Sequence, residues 1–351
     1  MTYESVPVID IAPFSTGGQA GKRAVAEEMR RACEEIGFFT IVGHGVAEEL
    51  IKETRQLALD FFTRPMTVKR QIERPPSKIS RGYSWVGDRG LSYSMGDESP
   101  PDLQESFAMG PTAPAPPAIA GTPAEQAFFY PNLWPENPPR FRSAFESYYR
   151  QMEDVATRVM RIFAIALDLD EHHFDDKVDK HTSTMRAILY PALSAQPAPG
   201  QLRAGAHTDY GTVTILRGDD VPGGLQVRLL NGQWADVHPA PGSFVCNIGD
   251  LMMRWTNDRW LSNLHRVVIP PAEFSHVQRL TLVFFQNPNC DAEIRCIDPA
   301  APAKYDPVRF GDYYLGKHMK AQHLTTNDHA EQLAVQHPQA MDANRSGQGA
   351  P

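Results

Sequence analysis

The hydrophobic positions of this chain follow two periods, and the changeover divides it. "VPVIDIAPF" (Val6–Phe14) predicts a short buried strand ended by proline. Between Gln19 and Gly37, Val25, Met29, Ala32 and Ile36 recur every third or fourth position among Lys, Arg and Glu, which predicts an amphipathic helix. "GFFTIVGHGV" (Gly37–Val46) is apolar and β-branched and predicts a strand. Helical spacing returns over Glu48–Phe62, with Leu50, Ile51, Leu57, Phe61 and Phe62 on one side and Pro65 as the stop. The clearest helix is Pro139–Leu169, where Phe141, Phe145, Tyr148, Met152, Val155, Val159 and Phe163 form a core-facing stripe.

From about Ser183 the pattern switches to strands. "STMRAILYP", "TVTILRG", "GGLQVRLL", "GSFVCNI", "NLHRVVIP" and "RLTLVFFQ" are short and separated by turn residues. Asn231-Gly232 is a hairpin signal between "LQVRLL" and "QWADV". Strands at this spacing argue for a sandwich or barrel, most naturally a jelly roll. "VRFGDYYLGKHMKAQHL" resumes helix, and the tail after Thr325 is polar and peripheral. Residues 66–138 fit neither period. They are rich in Pro, Gly and Ser with Tyr83, Trp85 and Tyr93 embedded, and predict surface loop, or a lid adding aromatics to a pocket. The expected organisation is a mixed helical region with a loop or lid (1–180), a β core (181–300), and a C-terminal helix and tail (301–351), an α+β fold.

Composition narrows the function classes. The formal net charge of −8 and the lack of a dense basic run argue against nucleic acid. No apolar run of membrane-spanning length and no basic-then-apolar leader is visible, so no membrane association and a cytoplasmic location are the default expectations. Cys33, Cys246, Cys290 and Cys296 form no CxxC pair and no disulfide framework, and predict buried thiols.

The candidate chemistry begins at "HTDYGTVTIL" (His207–Leu216). On a strand, positions i and i+2 share a face, so His207 and Asp209 aim an imidazole and a carboxylate at one point. An HxD pair by itself is more often structural than catalytic. Of the later histidines, only His265 lies in an apolar β run, "NLHRVVIP". Two histidines and one carboxylate would form a facial triad, which suits non-haem Fe(II) and also occurs at zinc sites. "RLTLVFF" places Arg279 and Thr281 on one strand face among apolar residues. The planar fork of a buried arginine there calls for a carboxylate: an internal Asp or Glu or, the favoured reading beside a triad, a bound organic acid.

With these residues in view, the chain resembles the isopenicillin N synthase-like group of Fe(II)- and 2-oxoglutarate-dependent oxygenases. The likeness runs from about Val6 to Met319. It rests on "VPVIDIAPF", "GFFTIVGHGV", "RGYSWVG", "DLQESFAMG", "FYPNLWP", "RAILYP", "HTDYGTVTILRGDDVPGGLQV", "NIGDLMMRWTNDRWLSNLHRVV" and "RLTLVFF" in the family's order. The resemblance implies a distorted double-stranded β-helix (jelly roll) flanked by N-terminal and C-terminal helices. It implies His207, Asp209 and His265 as iron ligands, with Arg279, Thr281 and Tyr190 on the distal carboxylate of 2-oxoglutarate. Thr281 stands where the family usually has serine, and Ile188 where plant members commonly have asparagine. The implied cofactors are Fe(II), 2-oxoglutarate and O₂. The implied reaction hydroxylates, desaturates or cyclises a small-molecule substrate and releases succinate and CO₂. An iron oxidase of the same fold that does not use 2-oxoglutarate is the alternative. For the substrate pocket, Tyr83, Trp85, Phe107, Leu216 and Phe285 are candidates, with Tyr93 also in the variable segment. Arg186, on a core strand, reads better as half of a structural ion pair than as a substrate anchor.

Overall fold

The structure, a computed structural model, describes residues 5–75, 80–88, 90–91, 100–193 and 195–323. Its first part runs β1 (Val8–Asp10), α1 (Ala12–Thr16), α2 (Gly18–Glu35), β2 (Phe38–Val42), α3 (Glu48–Phe62), α4 (Met66–Lys69), β3 (Gly82–Ser84), β4 (Glu105–Met109), α5 (Pro123–Phe128), α6 (Phe141–Ala166) and α7 (Asp175–Val178). The β-rich part follows with β5 (Thr184–Tyr190), β6 (Ala204–His207), β7 (Val213–Gly218), β8 (Leu225–Arg228), β9 (Trp234–Asp236), β10 (Phe244–Ile248), α8 (Asp250–Trp255), β11 (His265–Val267) and β12 (Arg279–Gln286). A small pair, β13 (Glu293–Ile294) and β14 (Val308–Arg309), precedes α9 (Phe310–His323).

Two sheets make the core. The larger has eight strands in the order β1-β2-β10-β7-β12-β5-β4-β3, and the smaller four, β6-β11-β8-β9. β1 and β2 are parallel, and the other named pairs of these two sheets are antiparallel. Strands from the first 180 residues therefore form both edges of a sheet whose centre comes from the later β run.

Period-two alternation then sorts side chains between two cores. On β12, Leu280, Leu282 and Phe284 join the apolar cluster shared with α2, α3 and α6, as do Met185, Ala187 and Leu189 of β5. The other face of the same strands looks between the sheets, where Ile188, Tyr190, Leu216, Val245 and Val283 meet Leu225, Val227 and Val267 of the smaller sheet. The predicted stripe of α6 is buried along its length and packs on the helical side of this arrangement. The result is the jelly-roll architecture expected, with helices against one face.

Several elements differ from their sequence expectations. The strand expected over Val6–Phe14 spans only Val8–Asp10, and Pro13 sits in the first turn of α1, where proline's missing N–H costs no helical bond. The Asn231-Gly232 hairpin forms, with Leu229 and Gln233 closing the turn between β8 and β9 and Gly232 at φ 82°. Residues 66–138 are not simply loop: β3 and β4 are fully buried in the large sheet. Their pattern is illegible because polar residues there satisfy one another inside. Glu105 accepts from Lys69 Nζ and from the Tyr83 hydroxyl, both at 2.6 Å. Cys33, Cys246 and Cys290 are buried free thiols, while Cys296 is half-buried. Tyr93 and the tail after Thr325 lie outside the described residues. No helix among the described residues is long and apolar enough to cross a membrane.

Candidate functional site

His207 ends β6 and His265 begins β11, and the antiparallel register sets them directly opposite each other. Their rings lie 4.3 Å apart between centroids. Each ring is oriented by its own backbone: His207 Nδ1 meets the Gly205 carbonyl at 2.7 Å, and His265 Nδ1 meets the Asn263 carbonyl at 3.2 Å. If Nδ1 carries the proton in each, both Nε2 atoms are left as lone-pair donors. They face Asp209, with His207 Nε2 3.9 Å from Oδ1 and His265 Nε2 3.8 Å from Oδ2. The three ligand atoms lie within 4.8 Å of one another, the one such His/Cys/Asp/Glu group among the described residues.

Strand alternation alone would put His207 and Asp209 on one strand face. The structure corrects this: β6 stops at His207, and Asp209 lies in the loop beyond it. Other contacts aim the carboxylate. Thr214 Oγ1 donates to its Oδ2 at 2.5 Å and Asn247 Nδ2 at 2.7 Å. The loop itself is clamped on the start of α8, where the Asp250 and Leu251 N–H groups donate to the Asp209 and Gly211 carbonyls. Gly249 permits this approach, since a Cβ there would stand 2.2 Å from the Gly211 oxygen.

Electrostatics readies the cluster for a cation. Burial, with His265 as neighbour, pushes the His207 pKa down to about 4, so its imidazole is neutral at neutral pH. For Asp209 burial pulls upward. The two histidines and the bonds from Asn247 and Thr214 outweigh it and hold the carboxyl below its ordinary range. Two imidazoles and one carboxylate are the donor set of a non-haem Fe(II) site.

The second half of the site is on the inner face of β12. Arg279 is opposite Tyr190 of β5, and Thr281 is opposite both Ile188 and Gly218. Arg279 is only 4% exposed. Its Nη1 donates to the Asp219 carbonyl at 2.6 Å, but its Nε and the Thr281 hydroxyl are buried without partners. A Cβ at Gly218 would lie 2.5 Å from Arg279 Nη2 and 3.4 Å from Thr281 Oγ1, so glycine keeps this cradle open. Unsatisfied buried donors around an open space are what a bound carboxylate would satisfy. Asp219 is itself anchored by Arg55 of α3 through two 2.8 Å bonds and by the Leu280 N–H. Burial raises the Tyr190 pKa to about 12, so its hydroxyl stays protonated.

One cavity of about 210 Å³ joins both halves. Leu216 and Phe285 line it as expected. Tyr83, Trp85 and Phe107 do not. Phe107 packs among Phe61, Phe141 and Phe145 on the helical side, Tyr83 is engaged by Glu105, and Trp85 stacks under the Arg70 guanidinium. Aromatics embedded in a Pro- and Gly-rich segment suggest a lid, yet β3 and β4 turn two of them into the core. Arg186 also departs from expectation, having no carboxylate partner among the described residues and lining the cavity. Thr214, Asn247 and Asp219 escape the sequence reading. The first two carry a usable signal, a polar residue at an inward position of an apolar strand.

Comparison with known proteins agrees with this geometry. Residues 6–137 match the family described as non-haem dioxygenase in morphine synthesis N-terminal, and residues 182–288 match the 2OG-Fe(II) oxygenase superfamily. A homoarginine-6-hydroxylase of Arabidopsis thaliana is 30% identical over 92% of this chain and 96% of its own length. Validamycin A dioxygenase of Streptomyces hygroscopicus is 32% identical, covering 90% of this chain and 86% of its own. Among solved structures, a full-length Neurospora crassa protein in complex with alpha-KG and thymine superposes with a TM-score of 0.78 at 29% identity, covering 92% of this chain and 97% of that one. These likenesses favour the 2-oxoglutarate-dependent reading over an oxidase that does without it. The chain belongs to the isopenicillin N synthase-like family of 2-oxoglutarate–Fe(II) oxygenases and is an Fe(II)- and 2-oxoglutarate-dependent oxygenase.

Proposed function

We propose that His207, Asp209 and His265 hold the Fe(II), that Arg279, Thr281 and Tyr190 hold the distal carboxylate of 2-oxoglutarate, and that the enzyme oxidises a small organic molecule seated in the same cavity. The observation that carries this reading is the pair of buried, unpartnered donors, Arg279 Nε and Thr281 Oγ1, opening on the cavity that the triad also lines. Bound together, iron and 2-oxoglutarate supply the activation of O₂, with succinate and CO₂ as co-products. The chain's own residues do the positioning. Gly205 and Asn263 carbonyls orient the imidazoles, Thr214 and Asn247 hold the carboxylate, and Asp219 holds the guanidinium. Leu216, Leu225, Val267 and Val283 supply apolar wall that excludes water near the reacting group. The small-molecule relatives, the thymine-bound Neurospora crassa protein among them, support a substrate of that size.

Anaerobic titration tests the assignment. Fe(II) followed by 2-oxoglutarate is expected to raise a visible absorption band in the wild type. In Arg279→Ala the 2-oxoglutarate needed should rise by about 10- to 100-fold, the value of a hydrogen-bonded charge pair. An unchanged titration in that variant would make Arg279 structural.

A further inference from the structure

The inner face of β5 carries a second arginine. Tyr190 stands opposite Arg279, and four residues back, on the same face, Arg186 stands opposite Val283. That is about 14 Å along the strand. Arg186 lines the cavity at the end away from Arg279. Its Nη2 donates to the Ser80 hydroxyl, its Nε is buried without a partner, and its guanidinium carbon is 5.7 Å from the centre of the Phe285 ring. Arg74 and Asp88 also line the cavity and pair with each other at 3.1 Å. Among the described residues, Arg186 itself is paired with no carboxylate.

A guanidinium out of water costs stability unless an anion meets it. Its planar fork matches a carboxylate, which it can bind through two parallel hydrogen bonds. Arg186 and the triad line the same cavity, so a molecule anchored on it would share that space with the triad. Phe285 and Leu216, next to it on the same wall, offer apolar surface for the rest of such a molecule.

We propose that Arg186 is a substrate-binding residue and that the substrate is a small molecule carrying a carboxylate, held by Arg186 with its apolar part against Phe285 and Leu216. This rests on the reading that Arg279 takes 2-oxoglutarate, which leaves Arg186 free for the substrate.

The test uses protein loaded with Mn(II) and 2-oxoglutarate, and measures binding by calorimetry and ligand-observed NMR. The probes are benzoate, phenylacetate and hexanoate, each beside its own primary amide. In the wild type at least one acid is expected to bind about 10- to 100-fold more tightly than its amide. Arg186→Gln should erase that preference, Arg186→Lys should retain part of it, and both should keep the 2-oxoglutarate Kd within about twofold, which reports an intact fold. Equal binding of acid and amide, no binding of any acid at millimolar concentration, or an undiminished preference in Arg186→Gln would overturn the proposal. A distinct outcome marks failure of the underlying reading: 2-oxoglutarate affinity lost in Arg186→Gln and kept in Arg279→Ala.

Discussion

β12 shows two faces made from alternating residues of one strand. Leu280, Leu282 and Phe284 enter the helical-side core, where Phe284 meets Tyr149 edge-on at 5.2 Å between ring centres. Arg279, Thr281, Val283 and Phe285 look into the cavity, and two of those four carry buried polar atoms with no partner. The apolar face is saturated with contacts, while the cavity face is left incomplete. A protein tolerates buried unsatisfied donors where something else is to complete them. The difference teaches that function here is written in the positions where stability was not maximised.

The sharpest way to break this comparison is to exchange the expected losses. His265→Ala, on the cavity side, should abolish turnover and metal retention while leaving thermal unfolding of the metal-free protein nearly unchanged. Phe284→Ala, on the apolar face of β12, should cost about 3–5 kcal/mol of stability and leave 2-oxoglutarate affinity of the folded fraction intact. Turnover surviving in His265→Ala, or a stable Phe284→Ala, would erase the division of labour between the faces.

Next in size is the support of Asp209. Asn247→Ala removes the 2.7 Å bond to its Oδ2 and should weaken metal affinity by about 10- to 100-fold, read by competition with a chelator. A smaller effect should come from outside the cavity. Arg55 of α3 holds the side chain of Asp219, whose carbonyl holds Arg279. Because Arg55 is partly solvent-exposed, Arg55→Gln should raise the 2-oxoglutarate Kd by only about 2- to 5-fold. No change would mean that the backbone alone sets Arg279.

The finest distinction is a pH slope. Asp102 is fully buried beside β6, where it accepts from the Gly205 and Leu91 N–H groups and from Gln104, and burial raises its pKa from 3.8 to about 6. A carboxyl raised on folding contributes stability that is full below its unfolded pKa and is lost as pH rises through the folded one. Wild type should therefore lose stability relative to Asp102→Asn between about pH 4 and pH 6. Parallel denaturation midpoints across that window would show that Asp102 titrates normally.

Much of the fold was legible. The α6 stripe, the spacing of α2 and α3 and the period of the late strands are local patterns, because a face that must be buried repeats with the geometry of its own element. The triad was legible for a related reason: each ligand type stood out against the apolar run around it. The Tyr83–Phe107 segment misled because burial there is made possible by polar pairing between Lys69, Glu105 and Tyr83, residues distant in sequence. Asp209 was identified for the wrong geometric reason. Its aim comes from Thr214, Asn247 and the start of α8, not from strand alternation.

By itself the sequence determined the main helices and the late strands, the jelly-roll class, and which residues to propose for the site, His207, Asp209, His265, Arg279 and Thr281. It could do so because periodicity and residue chemistry are properties of short stretches of chain. Only the tertiary structure decided which groups meet: the cross-strand pairing of the two histidines, the core fate of Tyr83 and Phe107, and the place of Arg186 on the cavity wall with no carboxylate paired to it among the described residues. Whether a buried polar group has a partner depends on strands brought together from far apart in the chain, and no local pattern encodes that.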